Sequence, residues 1–271
     1  MAKVPLLAID SATKLDQRHR GAVVVCGSHG GIFPAYLAAR ARLRAVILCD
    51  AGVGKDQAGL GCLDYCAALG MAAATVDVMS ARIADGEDML RRGRISHVNA
   101  LARGLGCAPG QPVREAQKIL AEAPAWRGEA PAYPEARTTV LEQPGKPKVV
   151  CIDSASMVVP EDAGQIVITG SHGGTLGSRP ETALGVEALA ALFNDAGIGM
   201  DEAGITRLPV LDRRGIAGAT VDAMSARIGD GRSTYEDGVL SRVNPTAEAL
   251  GGRPGMTAVD FVQRVLESTA R

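Results

Sequence analysis

The stretch CGSHGG, Cys26 to Gly31, returns as TGSHGG, Thr169 to Gly174. A second pair follows it: CDAGVGKDQAG, Cys49 to Gly59, and NDAGIGMDEAG, Asn194 to Gly204. From Asp50 to Gly110 the later copy keeps a constant offset, and about half of the aligned positions are identical. The match reaches the start of each copy, where IDSAT (Ile9 to Thr13) faces IDSAS (Ile152 to Ser156). The chain therefore reads as a tandem repeat, and the fold of one copy is expected to be the fold of the other.

Within each copy, short apolar runs alternate with longer helical patterns. VPLLAI, AVVVC, AVILC and AAATVDV read as strands in the first copy, and VVCI, QIVIT, ALAALF and IAGATVDA in the second. FPAYLAARAR and DQAGLGCLDYCAALG read as helices, and HVNALARGL as a helix that opens after Ser96. Strands that are apolar throughout, separated by helices, predict a parallel sheet covered on both faces. The fold class that follows is α/β: a tandem duplication of a parallel-sheet α/β unit, two similar halves related by a pseudo-twofold. Pro124, Pro131, Pro134, Pro144 and Pro147 lack amide donors and fix φ, which suits an extended linker. The expected division is a first repeat over 1–123, a Pro-rich linker over 124–146 and a second repeat over 147–271.

Of 271 residues, 46% are hydrophobic and 22% charged, enough apolar mass for a packed core. Twenty-nine basic residues against thirty acidic ones leave a net charge of −1, and aromatics make up only 3%. Neither the basic footprint nor the stacking rings of a nucleic-acid binder is present. No stretch approaches the roughly 18 uninterrupted apolar residues of a membrane span, and MAKVPLLAID holds too short an apolar run for a signal peptide. The six cysteines, Cys26, Cys49, Cys62, Cys66, Cys107 and Cys151, form no paired framework, which fits a reducing compartment. The expected setting is cytoplasmic, the expected partner a small molecule rather than nucleic acid or membrane, and a homo-oligomer is compatible with the sequence.

In open parallel sheets ligands bind at the carboxyl ends of the strands, and every repeated motif falls at such an end. The GSHGG loops have three readings. Gly30, Gly31, Gly173 and Gly174 let backbone amides approach an anion at the following helix N-terminus. Alternatively, Ser28 and Ser171 stand on the sharp turn of a nucleophile elbow, although Cys26 and Thr169 replace its usual first glycine. The third reading is a tight structural turn. His29 and His172 share one repeat position and, as neutral imidazoles, could give acid and base to opposite sides of a substrate.

Arg82 and Arg227 lie in SARI-x-DG loops beside Ser80 and Ser225. They offer either a bidentate grip on a carboxylate or internal salt bridges to Asp85 and Asp230. Asp50 and Asp195 are carboxylate catalysts or helix caps. The amides of Asn99 and Asn244 orient substrate or bind local backbone. A metal would draw on His29 and His172 with Asp10, Asp50, Asp153 and Asp195, but no close His/Asp spacing supports one. No metal and no organic cofactor are expected.

These residues point to an enzyme acting on a small polar, anionic substrate at a cleft between the two halves, hydrolysing an amide, imide or lactone. The rivals are an isomerase or racemase using His29 and His172, and a non-catalytic protein that binds a small anion.

Overall fold

The computed structural model describes residues 3–269. The backbone divides into two compact units. Unit 1 takes Met1–Val53, Gln57–Pro134 and Gly199–Asp201, and unit 2 takes Gly54–Asp56, Glu135–Ile198 and Glu202–Arg271. Each unit thus builds in a three-residue arm from the other copy of the sequence.

Unit 1 holds a five-stranded sheet in sequential order: β1 (Leu6–Ile9), β2 (Val23–His29), β3 (Ala45–Cys49), β4 (Ala72–Val76) and β5 (Ile95–Val98). The first four strands are parallel and β5 runs antiparallel to β4. Every residue of β2, β3 and β4 is buried, which is why these strands read as unbroken apolar runs. Val24, Cys26, Val46 and Leu48 share a core with α1 (Ile32–Arg40) and α2 (Gly61–Leu69). Side chains alternate across a strand, so Val23, Val25 and Ile47 are buried on the other face. There α3 (Gly86–Arg92) packs on β1 and β2, α4 (Ala100–Gly104) follows β5, and α5 (Val113–Leu120) packs on β2. Buried Val113, Ala116, Gln117 and Leu120 give α5 its amphipathic spacing.

Unit 2 holds six strands: β6 (Arg137–Leu141), β7 (Val149–Ile152), β8 (Ile166–His172), β9 (Ala190–Asn194), β10 (Ala217–Val221) and β11 (Leu240–Val243). The four central strands are parallel, and the edge strands β6 and β11 are antiparallel to their neighbours. On one face Val150, Ile152, Val167 and Phe193 pack with Leu211 of α6 (Leu208–Arg213). On the other, Cys151, Ile168 and Leu192 pack with Tyr235 of α7 (Gly231–Glu236), Ala247 of α8 (Pro245–Ala249) and Phe261 of α9 (Ala258–Ser268).

The architecture is α/β as the sequence implies, with three departures. The sheets are mixed, because Ile95–Val98 is a half-buried edge strand and the helix in HVNALARGL starts only after Asn99, its cap. The Pro-rich segment is not a free linker. Trp126 donates its indole N–H to the Leu69 carbonyl at 2.8 Å, Tyr133 packs against Phe33 and Tyr36, and Arg137–Leu141 pairs with β7. Finally, the second GSHGG is followed by two short 3-10 turns, Leu176–Ser178 and Pro180–Thr182, where the first is followed by α1. The fixed ring of Pro180 and the left-handed Gly177 and Ser178 prevent a continuous helix there. Carbonyls that a helix would have satisfied are taken up by buried Arg207, which donates to Gly174, Thr182 and Ala183 and lies 4.9 Å from the centre of the Phe193 ring.

All six cysteines are free and buried. Among the described residues no helix is long and apolar enough to cross a membrane.

Candidate functional site

Gly27-Ser28-His29 and Gly170-Ser171-His172 are the last residues of β2 and β8, not a turn. Strand pairing is irregular here, with register shifts between Val25 and His29 and between Ile168 and His172. Ser28 Oγ accepts the Ala12 amide at 2.9 Å, and Ser171 Oγ accepts the Ala155 amide at 2.9 Å. His29 Nδ1 accepts the Gly31 amide and His172 Nδ1 the Gly174 amide, both at 3.2 Å. An accepting Nδ1 leaves the ring proton on Nε2. Burial pushes His29 down to about 4, so its ring is neutral at pH 7. Gly30 donates its amide to the Cys49 carbonyl, and Gly173 donates to Asn194. The Ser28 and Ser171 hydroxyls bind the amides of Ala12 and Ala155, and the amides of Gly30, Gly31, Gly173 and Gly174 are engaged within the protein, so the GSHGG stretch is built as a strand end held by local hydrogen bonds and not as a turn that presents a serine.

The DAG loops are the strained part of the molecule. Ala51, Gly52, Val53 and Gly54 all have φ between 50° and 72°, and Ala196, Gly197, Ile198 and Gly199 repeat the run at 51° to 73°. A β-branched residue in this left-handed region is costly, and here it occurs at matched positions in both units. Asp50 and Asp195 hold the runs in place. Asp50 Oδ1 accepts the amides of Gly52 and Val78 at 3.1 and 3.0 Å, and Asp195 Oδ1 accepts those of Gly197 and Ala223 at 2.8 and 2.9 Å. Burial raises both carboxyls, while hydrogen bonds from Ser96 and Ser241 draw them back. Both aspartates brace loops rather than cap helices. The runs deliver the arms: Lys55 donates its amide to the Ala223 carbonyl in unit 2, and Met200 to the Val78 carbonyl in unit 1, each at 2.8 Å.

Arg82 and Arg227 stand at these docking points, and both are ion-paired. Arg82 Nε lies 2.9 Å from Asp201, which also binds Arg92. Arg227 lies between Asp230 and Asp56, 3.1 Å from each. The guanidinium grip on a substrate anion is thus filled by the protein's own carboxylates. Arg82 pairs with the arm residue Asp201 and not with the nearby Asp85. Ser80 and Ser225 close local turns, donating to the carbonyls of Asp77 and Asp222 and accepting the amides of Arg94 and Val239. Asn99 and Asn244 cap α4 and α8 while bracing backbone at Ala73 and Met71, and at Gly218 and Ile216. Asn99 donates one side-chain N–H to Met71, and Asn244 donates both, to Leu208 and Ile216.

Among the described residues, buried side-chain atoms without a hydrogen-bond partner occur at Arg44, Tyr65 and His97 in unit 1 and at Glu135 and Thr169 in unit 2. Asp153 follows β7 and accepts the amides of Ala136 at 2.7 Å and Gly231 at 3.1 Å. Glu135, just before β6, is brought to the same strand end by the antiparallel pairing of Arg137 with Ile152. Its Oε1 is buried without a hydrogen-bond partner. Burial, reinforced by the Asp153 charge, pushes Glu135 up to about 7, against a hydrogen bond from Ser154. Asp153 is itself raised by burial. Ser154 meets Ser156 at 2.7 Å. Thr169 of β8, fully buried and paired in register with Ile152, has an unpaired Oγ1. Asp153 was visible in the repeated IDS motif, whereas Glu135 has no counterpart in the first copy and lies in a segment that reads as linker. Among the described residues no group of three or more His, Cys, Asp or Glu side chains could hold a metal ion. No family model, curated protein or solved structure matches the chain.

Proposed function

We propose that the protein is a hydrolase of a small polar amide, imide or lactone, with its chemistry in unit 2 at Glu135 and Asp153. The observation that carries this reading is the Glu135 carboxyl, whose buried Oε1 has no partner, beside the Asp153 carboxylate at a parallel strand end. A carboxyl poised about 7 exists in both protonation states at neutral pH, which is where general acid–base catalysis is most effective. Asp153, held by two backbone amides, takes a proton from water as the water oxygen bonds to the carbonyl carbon. Glu135 gives its proton to the departing nitrogen or oxygen as the scissile bond breaks. Water is consumed, and the two carboxyls exchange protons with solvent to reset.

The test is incubation of the protein in heavy water with a mixed panel of small cyclic amides, imides and lactones, followed by mass spectrometry. Addition of water to one compound is expected, with a loss of about 100-fold or more in Glu135→Gln. Ser28→Ala and Ser171→Ala should retain turnover. Full activity in Glu135→Gln overturns the assignment. Solvent deuterium at a carbon, without addition of water, would favour proton transfer by the neutral His29 ring instead.

A further inference from the structure

β1 and β7 lead into the same Ile-Asp-Ser-Ala sequence, Ile9 to Ala12 and Ile152 to Ala155, and each pairs in parallel with a strand that ends in Gly-Ser-His. Their outer edges differ. β7 carries β6 as an antiparallel neighbour, and all four of its residues are buried. β1 ends its sheet, with no strand on its outer side among the described residues and no fully buried residue of its own. Leu6 is 38% exposed, where the corresponding Val149 is 0% exposed.

Backbone alternation sets what the open edge presents. Val23 donates its amide to the Pro5 carbonyl at 2.9 Å, so Pro5, Leu7 and Ile9 face β2, and Leu6 and Ala8 turn their N–H and C=O groups outward. Unit 2 follows the same alternation: Ile166 donates to Lys148 on the β8 side, and Asp153 donates to Ala136 on the β6 side. Proteins normally blunt such an edge with charge, proline or a bulge. β6, an end strand of the other sheet, has an irregular register between Thr139 and Leu141 and an exposed Arg137. β1 keeps a regular register and carries no charge, and the amide that Pro5 lacks would have faced β2.

We propose that β1 is a docking edge for a second copy of this chain, whose own β1 adds to it antiparallel. Antiparallel addition is what completes the corresponding edge at β7. Between two identical edges it also closes about a twofold axis, whereas β1 against the β6 edge of another copy would leave a free edge at each end and grow without limit. With the twofold at Leu7, Leu6 and Ala8 of one copy exchange N–H···O bonds with Ala8 and Leu6 of the other. The exposed leucine then lies against the small side chain of Ala8. A ladder this short falls below the roughly 800 Å² per partner of stable complexes, so the dissociation constant should be on the order of 100 µM.

Sedimentation velocity of the full-length protein from about 5 µM to about 1 mM tests this, with amide hydrogen exchange of Leu6 and Ala8 followed over the same range. The mass should rise from one chain to two, and exchange at both amides should slow about fivefold as it does. Leu6→Lys, which puts a charge on the edge, should stay monomeric throughout, with an unchanged urea midpoint as the check on folding. A wild type still monomeric at the highest concentration overturns the proposal. So does a dimer in which the Leu6 and Ala8 amides exchange as fast as in the monomer, or one that Leu6→Lys leaves intact. Growth past two copies would assign the pairing to the β6 edge and overturn the twofold.

Discussion

Asp56 and Arg227, 171 positions apart in the chain, form an ion pair at 3.1 Å in unit 2. Their repeat counterparts Asp201 and Arg82 close at 2.9 Å in unit 1. Arg227 is 41% and Asp56 62% exposed, so screening keeps the pair's own worth low. Asp56 also has φ 54°, a conformation aspartate tolerates and β-branched residues resist. Asp56→Ala should lower stability by under about 1 kcal/mol, and less at high salt. Asp56→Val should lose a further 1–2 kcal/mol or so that salt does not alter. Urea unfolding of both variants at two ionic strengths separates charge from backbone.

Gly59 and Gly204 sit directly beneath the strained loops. A β-carbon there would meet the carbonyl oxygens of Asp50 and Asp195 at 2.0 Å, and neither backbone can withdraw without unwinding the left-handed run. Gly59→Ala and Gly204→Ala should each destabilise by at least about 2 kcal/mol. Gly104→Ala, with nothing within 4 Å of the added carbon, should be neutral or slightly stabilising. Equal thermal shifts for Gly59→Ala and Gly104→Ala would contradict this account.

The hydroxyl of Thr169 has no partner in a fully buried position that the first copy fills with Cys26. Thr169→Val keeps the shape and removes the unpaired group. It should raise stability by about 1 kcal/mol in the absence of substrate, read by chemical denaturation. A loss of stability would mean the hydroxyl is satisfied.

Burial lowers His29 from its ordinary 6.5 to about 4, so the native state binds fewer protons than the unfolded chain. The associated stability is present above pH 6.5 and is lost as pH falls towards 4. Between about pH 7.5 and 4.5 the wild type should lose roughly 2–3 kcal/mol more than His29→Gln, measured by urea unfolding of both. Parallel pH profiles would show that another group governs acid sensitivity.

The parallel strands were legible because burial on both faces leaves runs such as AVILC without polar interruption. The edge strand Ile95–Val98 was not, since Ser96 and His97 are only half buried and blur its pattern against the helix that follows. Arg137–Leu141 is largely exposed and embedded among prolines, so only its pairing with β7 reveals it. The repeated motifs did mark strand ends, but chiefly as structural joints. Ser80 bonds within its own turn, whereas Arg82 is neutralised by Asp201, a partner no local pattern could supply. Glu135 owes its raised pKa first to burial and then to the Asp153 charge, against a hydrogen bond from Ser154, surroundings that the pairing of β6 with β7 assembles.

The six sheltered thiols make the chain a reporter of its own opening. Five of them, Cys26, Cys49, Cys62, Cys66 and Cys107, belong to unit 1, and Cys151 alone to unit 2. With every sulfur buried, an alkylating reagent can modify only molecules that have transiently come apart. The order in which tagged peptides accumulate would therefore read out, without any engineered label, which unit breathes first and how often.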